Sequence, residues 1–146
     1  MKFGSNKKVP PVKEEASRIM AGRDQIELGR KGEQAAANYL VTRGYKLLKR
    51  NLRRGKRGEA DLVLLDRKTL VFCEVKTKRS LNTGHAAENF RKQQQTRLRA
   101  LILKYLQNSD WQGPLRVDLL TLQKKSPQSS FQILHYKNVL ELDDNW

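Results

Sequence analysis

Two apolar runs, residues 59–65 and 70–77, stand four residues apart and restrict what this chain can fold into more than any other feature. They read Glu59-Ala60-Asp61-Leu62-Val63-Leu64-Leu65 and Leu70-Val71-Phe72-Cys73-Glu74-Val75-Lys76-Thr77, with Asp66-Arg67-Lys68-Thr69 between them. Their Val, Leu and Phe content makes them strands, and the short link makes them a β-hairpin. Near-continuous apolar strands are covered on both faces, so the rest of the chain must supply a layer above and a layer below. With a turn symmetric about Arg67 and Lys68, residue 66 faces 69 and 65 faces 70. The same count sets Val63 opposite Phe72, Asp61 opposite Glu74 and Glu59 opposite Lys76, with all six on one face. Arg-Lys is not a favoured two-residue turn, and a three- or five-residue loop would shift this register.

Directly opposed Cβ atoms lie about 5 Å apart, so the Asp61 and Glu74 carboxylates would repel each other. A shared divalent cation removes that repulsion, and two carboxylates offer the hard oxygen ligands that Mg²⁺ takes. The plainer alternative is a surface hairpin whose acids point to water; the apolar flanks of both residues argue against it. Lys76 lies two residues past Glu74, on the same side of the strand. There it can orient a nucleophile and neutralise charge on a phosphorane, and a salt bridge with Glu59 is compatible with that role.

The remaining elements follow from periodicity. Residues 24–43 read as a helix stopped by Gly44. Ile26, Gly29, Glu33, Ala36, Ala37 and Leu40 fall on one stripe of it, with an acid in the middle of the apolar face. The small neighbours let the helix approach the sheet, so Glu33 reaches a cation or a metal there, or takes up a proton. At the rim it would instead pair with Arg30 or Arg50. Residues 46–53 read as a strand and 54–58 as a basic loop. A second helix is expected over 87–106, with Leu98, Leu101, Ile102, Tyr105 and Leu106 on one stripe. Strands at 115–122 and 131–136 complete the order α-β-β-β-α-β-β, an α/β fold with a central mixed five-stranded sheet flanked by helices. Residues 1–22, polar and interrupted by Pro10 and Pro11, read as a flexible basic N-terminal arm with a helical turn near 14–20. Residues 23–146 then form a single domain.

Lys and Arg number 30 against 15 Asp and Glu, a net charge of +15. Such an excess repels itself in a compact chain and points to a polyanionic partner, nucleic acid before a ribosome or an anionic membrane surface. The lone Cys73 excludes an internal disulfide and a cysteine zinc cluster, and His85 and His135 are too far apart in sequence to build one. No apolar run approaches the roughly 20 residues of a membrane span, and no secretory leader is evident, so a cytoplasmic setting is expected.

Gly58-Glu59-Ala60-Asp61-Leu62 followed by Phe72-Cys73-Glu74-Val75-Lys76-Thr77 resembles the Asp…Glu-x-Lys signature of PD-(D/E)xK nucleases. The wider string adds Gly29-Arg30-Lys31-Gly32-Glu33, Ala36-Ala37, Leu40, Gly44-Tyr45, Arg50-Asn51, Arg91-Lys92-Gln93 and Arg116-Val117-Asp118. Together they resemble the YraN-like family of uncharacterised bacterial proteins, itself similar to archaeal Holliday-junction resolvases. The resemblance implies a restriction-endonuclease-like fold and a metal-dependent endonuclease acting on DNA, branched DNA included, in recombination or repair. It implies a catalytic set of Asp61, Glu74, Lys76 and Glu33. Mg²⁺ or Mn²⁺ would sit on Asp61, Glu74 and the Val75 carbonyl, with Glu33 contributing directly or through water, and Glu59 would support the set from behind. Arg53, Arg54, Lys56 and Arg57, beside this site, are the expected contacts to a nucleic-acid backbone, extended by Lys78, Arg79, Lys92 and Arg97. By analogy with resolvases a homodimer is expected. The rival expectation is a nucleic-acid-binding module that keeps the fold and does not cut. His85 is expected to be incidental, and Trp111 to cap a core edge.

Overall fold

The computed structural model describes residues 12–53, 59–78 and 92–142. The elements are α1 (Val12–Thr42), β1 (Lys46–Arg53), β2 (Glu59–Asp66), β3 (Thr69–Lys78), α2 (Lys92–Gln107), β4 (Leu115–Gln123) and β5 (Gln132–Tyr136). The five strands stand in the order β1-β2-β3-β4-β5. All neighbours are antiparallel except β3 and β4, which run parallel and are joined through α2. This is the expected mixed sheet in the expected element order.

The hairpin register is the symmetric one. Asp66 pairs with Thr69, Leu65 with Leu70 and Val63 with Phe72. Arg67 makes the tight turn possible by adopting a left-handed φ of 56°. The two layers form separate cores. Under α1, Leu62, Leu64, Val71, Cys73, Val75, Leu120 and Leu122 pack against Ala36, Ala37 and Leu40. Under α2, Val63, Leu70, Phe72 and Val117 pack against Leu98, Leu101 and Ile102. Each fully buried Leu or Phe is worth about 1.5–3 kcal/mol, so a sheet covered on both sides is where most of the stabilisation resides.

Helix α1 starts at Val12, well before the expected residue 24. Nothing in its first half breaks a helix: Pro11 precedes it, Glu14 and Glu15 occupy the first turn where the helix dipole favours acids, and Gly22 costs only about 1 kcal/mol. Residues 13–27 are exposed throughout, so this part stands clear of the sheet. Ile26, placed on the inward stripe by periodicity, is 67% exposed for that reason; burial of the stripe begins near Gly32. At Gly32 a methyl group would collide with the Thr77 side chain, so glycine sets how closely α1 lies on β3. The helix ends as anticipated at Gly44, whose φ of 94° closes a Schellman cap. In it the Tyr45 N–H donates to the Leu40 carbonyl and the Gly44 N–H to the Val41 carbonyl.

The second helix is described from Lys92; residues 87–91 of its expected span, His85 and residues 1–11 lie outside the described residues. Trp111 packs at the edge of the α2 core, as expected.

Candidate active site

The β2–β3 ladder is described down to Leu62 and Cys73. One residue further, the strands no longer exchange backbone hydrogen bonds. Instead the Asp61 side chain enters the gap, and its Oδ2 accepts the Val75 N–H at 2.7 Å. A strand residue points its N–H and C=O to the same edge, so the Val75 carbonyl opens into this gap as well. Across the sheet Asp61 faces the position of Asn51, which has a φ of 51°. The alternation of β2 breaks here: Ala60 packs in the α2 core, whereas Leu62 packs in the α1 core. The expected single face of six residues therefore holds for Val63, Phe72, Glu74 and Lys76, and fails at Asp61, which turns into the plane of the sheet.

Asp61 is 6% exposed. Burial, then the neighbouring Glu74, push its carboxyl up to about 8; Glu33 and Glu59 add to the rise and the Val75 N–H opposes it. The Glu74 carboxyl is also raised, by burial first, against the pull of Lys76 and with further repulsion from Glu59 and Glu33. Lys76 Nζ lies 3.4 Å from Glu74 Oε1. Four acids from α1, β2 and β3 thus act on one another, with Lys76 as the cation inside the group.

Glu59 does not face Lys76. It pairs with Arg53, whose Nη2 stands 3.1 Å from Glu59 Oε1. Arg50 does not pair with Glu33 either; it donates to Gln34 Oε1 at 2.9 Å. Among the basic residues expected to touch nucleic acid, Arg53, Lys92 and Arg97 are exposed and Lys78 is half-buried. Arg54, Lys56, Arg57 and Arg79 lie outside the described residues.

Among the described residues, no three carboxylate, imidazole or thiol side chains already surround one point at ligating distance. The donor chemistry nevertheless fits a divalent cation. Burial and mutual repulsion raise both the Asp61 and the Glu74 carboxyl, Asp61 keeps Oδ1 clear of the Val75 bond, and a backbone carbonyl opens beside them. A hard cation would displace the Asp61 proton and offset the repulsion among the acids.

A second polar group, unread in the sequence, is centred on Asp118. This residue is 0% exposed. Its Oδ1 accepts from Arg116 Nε at 2.8 Å and from the Asn138 N–H at 3.1 Å. Its Oδ2 stands 2.8 Å from His135 Nε2 and accepts from Arg116 Nη2 at 3.0 Å. Arg116 also donates to Asp66 Oδ2 and to the Tyr45 hydroxyl, each at 2.9 Å. Burial acts to raise the Asp118 carboxyl, but the bonds from His135, Arg116 and Asn138 outweigh it and hold the pKa below the usual range. The signal was present: Arg116 and Asp118 interrupt an apolar strand just as Asp61 and Glu74 do.

No described helix is long and apolar enough to cross a membrane. Relatives resemble the chain over about three quarters of its length. A UPF0102 protein of Clavibacter michiganensis is 39% identical over 110 residues, covering 74% of this chain and 92% of that one. One from Chlorobium limicola is 36% identical over 111 residues, covering 76% and 75%. The crystal structure of SSO0001 covers 90% of this chain and 63% of its own length at 18% identity and a TM-score of 0.39, a likeness too distant to bear on function. The family model of UPF0102, the uncharacterised family that the YraN-like motifs pointed to, matches residues 32–122, which hold Glu33, Asp61, Glu74, Lys76 and Asp118. The chain belongs to the uncharacterised protein family UPF0102.

Proposed function

We propose that the protein is a divalent-cation-dependent endonuclease of the cytoplasm that hydrolyses phosphodiester bonds in DNA, branched DNA included. One observation carries this reading: Asp61 and Glu74, both with raised pKa, meet Lys76 where β2 and β3 part. A structural role gives no reason to gather repelling acids at a gap in a sheet. A Mg²⁺ or Mn²⁺ ion held by Asp61, Glu74 and the Val75 carbonyl, with Glu33 joining directly or through water, would draw charge from the scissile phosphate and acidify a water. The chain's own groups do the rest. The Val75 N–H fixes the Asp61 carboxylate so that its other oxygen faces the gap. Lys76, anchored on Glu74, holds the attacking water in line and balances the charge that builds on the phosphoryl oxygens. Arg53, Lys78, Lys92 and Arg97 supply positive surface for the backbone of the nucleic acid. In-line attack leaves a 5′-phosphate and a 3′-hydroxyl.

The test is cleavage of four-way-junction and single-stranded DNA with Mg²⁺ or Mn²⁺, comparing wild type, Asp61→Asn and Lys76→Ala. Each variant is expected to lose at least about 100-fold in rate, the size of effect seen when a preorganised charge is removed, while still binding DNA. Wild type as inactive as the variants on every substrate overturns the reading. It would favour the non-cutting module, which one observation supports: the described ligand groups do not converge on a single point without a cation.

A further inference from the structure

The far end of the same sheet carries a pocket of about 1090 Å³ between the end of α1, the β2–β3 turn and the end of β5. Asp66, which lines it, lies five residues beyond Asp61 along β2, about 17 Å away at the rise of a strand. Arg43, Arg67, Lys68 and Lys137 line the pocket, together with Tyr39, Tyr45 and His135. Its one acid is Asp66, and that carboxylate already accepts from Arg116 at 2.9 Å. Among the described residues, Arg67, Lys68 and Lys137 form no ion pair. From this geometry we infer that the pocket is a phosphate-binding site, separate from the acidic gap and independent of whether that gap cleaves DNA.

Three arguments support the assignment. Cations from three segments of chain converge on a single acid, Asp66, which Arg116 already engages and Lys137 also acts on, so positive charge remains in excess and a multiply charged anion would offset it. Guanidinium forks and ammonium groups around a small anion are the donors that phosphate oxygens take. The wall behind them is rigid, because Arg116 is fixed by Asp66, Asp118 and Tyr45 at once. The turn itself adds an independent sign. Arg67 has a φ of 56°, a conformation that glycine or asparagine adopts with less strain. Local strain is tolerated where a side chain is needed at that point. The volume exceeds that of one phosphate and leaves room for an attached sugar and base. Two sources share this chemistry, a free mononucleotide and a phosphate of a nucleic-acid strand.

Titration of the full chain in EDTA, by calorimetry or by amide shifts, tests this with two probes. One is adenosine 5′-monophosphate and the other a short single-stranded oligonucleotide with and without a 5′-phosphate. Wild type is expected to bind at least one probe, and Arg67→Gly and Lys137→Ala each to weaken that binding by about tenfold, the scale of one charge-assisted contact. Lys104→Ala, on the exposed side of α2, removes the same charge elsewhere and is expected to leave affinity unchanged. Arg67→Gly should also raise Tm, which separates lost binding from lost folding. Tight mononucleotide binding identifies a free nucleotide as the source; binding that needs the oligonucleotide identifies a strand. The inference falls if no probe binds, or if Arg67→Gly and Lys137→Ala bind every probe as wild type does.

Discussion

Asp61 and Asp118 sit on strands either side of β3, both almost wholly buried, and they are opposites. Leu62 and Asp118 each pair with Cys73, so the two carboxylates lie on the strands that flank β3, close to one central residue whose thiol is pushed up by burial and by both acids. Asp118 is surrounded by donors: a guanidinium, an imidazole and a backbone amide. Its pKa is held down. Asp61 has one amide and three other acids, and its pKa rises to about 8. A buried charge with all its partners inside the fold serves the fold; one left short of positive charge is adapted to something that arrives from outside.

The largest effect that would break this contrast is on the Asp118 side. Asp118→Ala leaves the Arg116 guanidinium partly buried with half its hydrogen bonds gone, and urea unfolding should show a loss of about 3–5 kcal/mol. A loss below about 1 kcal/mol would mean that the network is not structural.

Asp61→Asn should do the reverse. The amide oxygen still accepts the Val75 N–H, and the repulsion with Glu74 disappears. Without metal at pH 8 the variant is expected to be more stable than wild type by about 1–3 kcal/mol, measured by the same unfolding curves. It gains stability where it loses cleavage.

The pH dependence has opposite signs at the two sites. Asp61 holds its proton in the fold up to about pH 8, whereas the unfolded chain releases it near 4, so folded protein binds more protons between these values. The Asp61 contribution therefore makes metal-free protein less stable as pH rises through that window. Asp118, with its lowered pKa, contributes stability above the unfolded value and loses it as pH falls through the folded one. Mg²⁺ should raise Tm more at pH 8 than at pH 5, because at pH 5 a proton occupies Asp61. Equal shifts at both values would separate the metal from Asp61.

Glu74→Gln gives the smallest change. Removing the second-largest cause of the Asp61 shift should move the alkaline midpoint of the metal-free stability profile to lower pH, with a gain of about 0.5–1 kcal/mol at pH 8. No movement would mean that burial alone holds the Asp61 proton.

The elements and the hairpin register were legible because they depend on period and spacing: Leu65 faces Leu70 by simple counting from a two-residue turn. What counting cannot supply is where a ladder stops. It carried Asp61 on to face Glu74 as one more rung, whereas the strand turns at that residue and the side chain takes a backbone partner. The Asp118 network was missed because its members come from distant parts of the chain: Arg116 reaches back to Tyr45 and Asp66, and His135 arrives from the last strand. The length of α1 was missed for a third reason, since an exposed helix needs no inward stripe to announce itself.

That exposed stretch has a consequence of its own. Residues 13–27 of α1 are exposed throughout, and a segment of about 15 residues with so little burial is marginally helical in water. Its amides should exchange with deuterium by fraying, long before those around Leu40 open with the whole fold. A sparing protease would trim the chain back toward Leu28 and leave a fragment that still unfolds as one unit.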